Sequence, residues 1–199
     1  PTDPDIGALY AEALMDVHPW DLYEKKTKKP RAWTPELLAV LEHLIKINPV
    51  HPGAHHFYIH AVEASATPEK ALASARSLDT LVPGAGHLVH MPSHIYINTG
   101  DYHLGVLSNI RAVQVDSSYS TACHAQGAYP LAYYPHNYHF LAAMATLEGN
   151  SALAWKAAKK LQDDTEEDIM RLPGWGTLQH YYTIPYYIAV KFGMWDTIL

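Results

Sequence analysis

Two stretches of the chain place histidines where side chains of one helix can converge on a single ion. In "HPGAHHFYIHAVEAS", residues 51–65, His56 and His60 stand four residues apart, and in "GHLVHMPSHIY", residues 86–96, His90 and His94 repeat that spacing. A third stretch, "YYPHNYHF" at 133–140, places His136 and His139 three residues apart. Residues three or four apart share one helix face. Neutral imidazoles on that face can take a common cation at about 2.0–2.1 Å for zinc. An imidazole-rich donor set suits Cu, Fe or Zn rather than Mg or Ca. The expected metal ligands are therefore His56, His60, His90, His94, His136 and His139, with His87 the next candidate. Six or more imidazoles could instead hold two ions. Glu63, one turn beyond His60, is expected to be a ligand or a general base, the latter if imidazoles complete the inner shell.

A single helical histidine is ordinarily a hydrogen-bonded core or surface residue. Here the pairing recurs on successive helices, and the recurrence can be read from the helices that must carry it. Counting back from the turn residues Ala66, Gly100 and Gly149, the tenth place is His56, His90 and His139; at Gly193 it is Thr183. Six places back stand His60 and His94, replaced later by Ala143 and Tyr187. Thirteen back from the last three turns stand His87, His136 and His180, and the first unit has Gly53. Eight of the 14 histidines thus fall in three equivalent slots. At about 100° per residue those slots lie within roughly 60° of each other on one helix face, and Glu63 shares the strip.

The turn residues are spaced by 34, 49 and 44 positions, and the first interval is the tetratricopeptide period. "NTGDYHLGVLSNIRAV", 98–113, has the form of a turn followed by the second helix of such a repeat. Helices are expected at 5–17, 34–49, from Pro52 to the Ala66 turn, and from about 71 until Pro83 stops the chain. The connection at 116–134 is too long for a simple repeat turn, and long loops inside compact arrays are often functional. His124 lies in it and could fold over the groove. Tyr133, Tyr134 and Tyr138 could orient ligands, although packing is the commoner aromatic role. His55 faces away from the strip and reads as structural, while His18, His43, His51 and His103 read as caps, loop or surface residues.

With 199 residues and 48% hydrophobic content the chain can bury a core. Its net charge of −6 and single short basic cluster, "EKKTKKPR" at 24–31, argue against nucleic-acid binding. No run approaches the roughly 20 apolar residues of a membrane span, so the segment is expected to be soluble, cytoplasmic or periplasmic. The one cysteine, Cys123, excludes an internal disulfide and any CxxC motif. The chain opens without Met and stops at "GMWDTIL", where a helix begins, so residues 1–199 read as one array cut from a longer protein.

"HPGAHHFYIHAVEAS", "VPGAGHLVHMPSHIY", "GDY" and "YYPHNYHF" together resemble segments of a bacterial tetratricopeptide-repeat-containing family with His-rich repeat helices. The resemblance implies an all-α fold, a tetratricopeptide-like superhelix of helix pairs with long inter-repeat insertions, and it implies no established reaction. Two classes of function remain open. One is a transition-metal-binding protein, favoured as a metal-dependent enzyme, with Cu or Fe for redox chemistry or Zn for hydrolysis and a small substrate in the concave groove; a non-catalytic metal store or sensor is its variant. The other is a scaffold for a peptide or protein. Carboxylate-capturing arrays of that type resemble clamps of Lys, Asn and Arg, whereas these slots hold His, Thr, Ala and Tyr. A Ser–His–Asp hydrolase is disfavoured because Ser93 sits beside Pro92 without a nucleophile elbow.

Overall fold

The structure, a computed structural model, describes residues 3–127 and 129–199. It is all-α: among the described residues the only β pairing is an isolated antiparallel bridge between Tyr23 and Pro30. The helices are α1 (Pro4–Val17), α2 (Thr34–Ile47), α3 (Pro52–Glu63), α4 (Leu72–Leu81), α5 (Gly86–His90), α6 (Pro92–Thr99), α7 (Tyr102–Cys123), α8 (Tyr134–Glu148), α9 (Ser151–Asp163), α10 (Glu167–Met170), α11 (Gly176–Lys191) and α12 (Trp195–Ile198). They fall into two compact units, Pro1–Pro83 with Met91–Asp101, and Gly84–His90 with Tyr102–Leu199.

In the first unit α1, α2, α3, α4 and α6 enclose Leu37, Leu41, Leu44, Ile59, Leu78 and Ile95, all essentially without solvent exposure. Asp3 caps α1 by accepting from the amides of Asp5 and Ile6, and Pro4 occupies the first turn, where its missing N–H costs nothing. Small residues bring helices together: a Cβ on Gly7 would stand 2.4 Å from Leu44 Cδ2. His51 caps α3, its Nδ1 accepting from the Ala54 amide at 3.0 Å while Nε2 faces Asp5 Oδ1 at 3.0 Å. His55 is buried, with Nδ1 at 2.9 Å from Ser74 Oγ and Nε2 at 2.9 Å from the Pro49 carbonyl.

In the second unit α7 packs on α5 and α8, α9 on α8 and α11, around Val106, Ala112, Leu141, Met144, Leu161 and Leu178. Gly105 is where α7 and α8 meet most closely, since a Cβ there would fall 1.7 Å from Met144 Cε. Three of the four expected turn glycine or alanine positions adopt left-handed backbone: Gly100 at φ 85°, Gly149 at 85° and Gly193 at 66°. A side chain resists that region, which fits glycine at the end of a helix. The Ala66 turn is built differently, from a 3₁₀ turn over Pro68–Ala71 before α4.

The chain differs from the sequence expectation in two places. The His-bearing segment 86–99 is interrupted between α5 and α6 at Pro92, which has no N–H to continue the ladder. The expected long connection at 116–134 is helical as far as Cys123, since no Gly or Pro interrupts it there, and resumes as a π-helical turn over Tyr129–Tyr133. Ala128 of that connection lies outside the described residues.

Candidate metal centre

The first unit brings His60, Glu63 and His94 together from two helices. Ala54, Ile59, Ala61 and Val62 turn one face of α3 into the core, and this leaves His56, His60 and Glu63 on another face of the same helix. α6 packs against α3 and supplies His94. Asn98, one turn after His94, ties the helices: its Nδ2 donates to the His94 carbonyl at 2.9 Å and reaches the Glu63 carbonyl at 3.4 Å. From the other side Tyr23 Oη donates to the Ala61 carbonyl at 2.8 Å.

Glu63 is the hub. Its Oε1 lies 2.9 Å from His60 Nδ1 and its Oε2 lies 2.6 Å from His94 Nδ1. One donor atom from each of the three residues lies within 4.8 Å of the others. His56 adds a ring 5.0 Å from that of His60, and the His60 and His94 rings are 4.9 Å apart. All three side chains of the hub are largely shielded, at 13% exposure for His60, 18% for Glu63 and 8% for His94.

Burial is the strongest single influence on Glu63 and opposes its ionisation, but hydrogen bonds and positive charge from His60 and His94 together outweigh it and hold the carboxyl at about 2. Burial likewise pushes His94 below the ordinary histidine value, against the pull of Glu63. The direction at Glu63 agrees with an ionised, acceptor-only carboxylate receiving Nδ1–H donors from His60 and His94. The site thus holds a shielded negative charge with basic nitrogens around it.

The second unit holds the remaining candidates in two places. His90, fully buried on α5, has Nδ1 2.8 Å from Asn109 Oδ1, and its Nε2 lies 3.1 Å from His136 Nε2. Asn109 Nδ2 donates to the Gly105 carbonyl at 2.8 Å, which fixes the amide so that Oδ1 can only accept. His90 therefore carries its proton on Nδ1 and presents the Nε2 lone pair to His136. The His87 ring stands 6.0 Å from that of His90 and edge-on to Tyr133 at 5.2 Å.

His139, expected among the ligands, is placed with His180, at a ring separation of 5.0 Å, and with Tyr181 at 5.3 Å. Among the described residues no group of three metal-capable side chains includes it. Burial first, and the charge of His180 second, lower its pKa to about 4. Cys123 and His124 are exposed, and the Tyr134 and Tyr138 rings meet at a tilt of 57° with centroids 5.3 Å apart. A cavity of about 160 Å³ elsewhere in this unit, between α9 and α11, is lined by Trp155, Lys159, Pro185 and Tyr186 and contains no histidine.

Sequence spacing does not signal Asn109, Asn98 or Trp20. The first two are ordinary helical positions whose amides matter only once two helices have packed. Trp20 lies in the loop before α2, with its indole edge-on to His60 at 5.8 Å. No protein-family model matches the chain, and no curated protein matches it.

Proposed function

We propose that the protein is a transition-metal-binding helical-repeat protein of the tetratricopeptide-like type and that it works as a metal-dependent enzyme, with the ion at His60, Glu63 and His94. The observation that carries the reading is Glu63 spanning His60 Nδ1 and His94 Nδ1 with its two oxygens. Two imidazoles and one carboxylate are the donor set of hydrolytic zinc sites and of oxygen-using iron sites, both of which keep positions open for water or substrate. The carboxylate weighs against copper. A shielded carboxylate ionised well below neutral pH supplies the negative charge that stabilises a divalent ion.

His56 stands ready as a fourth donor beside His60. In the second unit His90 and His136 form a donor pair, with an N···N distance of 3.1 Å. Zinc at the first site would activate water for hydrolysis, and iron would support oxidation of a small substrate. The helix-pair reading is supported by the left-handed glycines at 100, 149 and 193.

The test is elemental analysis of untagged protein purified without chelator, alongside the double variant H60A/H94A. Loss of metal in the variant supports the site. A protein that folds and takes up no metal even on reconstitution belongs instead with peptide-binding scaffolds.

A further inference from the structure

Trp20 is built into the first unit at a cost that packing does not explain. Its backbone is left-handed, at φ 60°, a conformation that strains any residue with a Cβ and that Gly or Asn would adopt more easily. Its indole is 83% exposed, so it contributes almost no core.

The loop that carries it is nonetheless firmly anchored. His18 stacks on Trp33 at 3.8 Å, Trp33 Nε1 donates to the Asp21 carbonyl at 2.9 Å, and Arg31 pairs with Asp21 at 3.0 Å. Tyr23, three residues on, fixes the loop to α3 through the Ala61 carbonyl at 2.8 Å. These contacts hold an exposed aromatic face beside His60, with ring centroids 5.8 Å apart and planes at 87°. A rigid loop, a strained backbone and an uncovered ring next to a metal-capable imidazole are the features of a preorganised binding wall.

We propose that Trp20 is the substrate-binding residue of the His60–Glu63–His94 centre, and that the substrate is a small planar aromatic molecule whose ligating head group reaches the ion while its ring stacks on the indole. The proposal rests on the metal-centre reading above and adds the substrate class to it. The perpendicular contact with His60 leaves the indole 83% exposed and so open to a ligand ring, and offset or edge-to-face stacking at 4.5–7 Å is the favoured aromatic geometry. The head group and the ring must be joined by few bonds, because the indole lies within one ring's width of a metal ligand.

The experiment uses the full chain loaded with its metal and two probes that share a chelating head: benzohydroxamate, which has a ring, and acetohydroxamate, which has none. Wild type is expected to bind benzohydroxamate about 5–10-fold tighter than acetohydroxamate, the increment of one aromatic stack. In Trp20→Asn, which suits the left-handed backbone, metal content stays at the wild-type level, thermal stability is equal or higher, and the ratio falls to about one. Trp20→Phe restores most of it. A ratio unchanged in Trp20→Asn overturns the proposal while leaving the metal centre standing. A chain that takes up no metal overturns the metal-centre reading itself, and the proposal with it.

Discussion

Glu63 and His94 are 31 residues apart in the chain and 2.6 Å apart in the fold. Their meeting joins α3 to α6, and the second oxygen of the same carboxylate meets His60 one turn away on α3. A buried acid with two imidazole partners either holds the imidazoles in place or joins them on an ion.

Replacing Glu63 by Gln separates these roles. An inner-sphere ligand lost to Gln should weaken metal binding by 100-fold or more, whereas an orienting partner should cost about 10–100-fold. The donor set proposed here predicts the larger loss, read by competition with a metallochromic chelator. In the metal-free protein the same change puts an amide between two imidazoles and should cost about 1–3 kcal/mol of stability.

Acid should destabilise the metal-free chain in two steps. His139 has a folded pKa near 4, below its usual 6.5, so it binds a proton more readily unfolded; its contribution is fully present above 6.5 and is lost as pH falls through about 4. Glu63, depressed from 4.5 to about 2, contributes above 4.5, and that contribution is lost as pH falls through about 2. Denaturant melts across pH should therefore show one decline of about 1–3 kcal/mol between pH 6.5 and 4 and a second below 4.5. His94, also held below the ordinary histidine value by burial, adds to the upper decline, so His139→Asn should shrink the first and leave the second; an unchanged upper limb would remove His139 from the account.

Asn109→Ala should destabilise the protein by about 1–3 kcal/mol, because it leaves the His90 Nδ1–H buried without its acceptor. Nitrogen chemical shifts of His90 should report the Nδ1–H tautomer in wild type and a mixture in the variant. A wild-type Nε2–H tautomer would contradict the assignment.

The motif "VPGAGHLVH" contains two glycines with opposite expected tolerance. A Cβ on Gly86 would stand 1.8 Å from Asp116 Oδ1, and that buried carboxylate already accepts from Tyr129 Oη and Asn137 Nδ2, each at 2.6 Å. Nothing lies within 4 Å of a Cβ on Gly84. Gly86→Ala should cost about 2–4 kcal/mol in thermal or chemical unfolding, and Gly84→Ala within about 0.5 kcal/mol of wild type.

The helical character and most helix boundaries were legible because apolar spacing, prolines and turn glycines mark them locally. The slot count also selected His56, His60 and His94, with Glu63 on the same strip, and these lie together because α3 and α6 pack on each other. It could not foresee that Pro92 divides the segment carrying His87, His90 and His94, nor that His139 pairs with His180, because both depend on how helices meet rather than on periodicity. The role of Asn109 was equally hidden, since an amide becomes a tautomer-setting acceptor only after Gly105 has fixed its orientation. Trp20 escaped notice because its neighbour His60 is far along the chain and its left-handed backbone leaves no mark in residue spacing.

The most direct test of the central claim is metal stoichiometry, measured by elemental mass spectrometry on untagged wild-type protein and on H60A/H94A purified side by side. The account predicts one or two equivalents of one transition metal per chain in wild type and the loss of at least one equivalent in the variant. Equal metal content in the two proteins, or none in wild type after reconstitution, would contradict it.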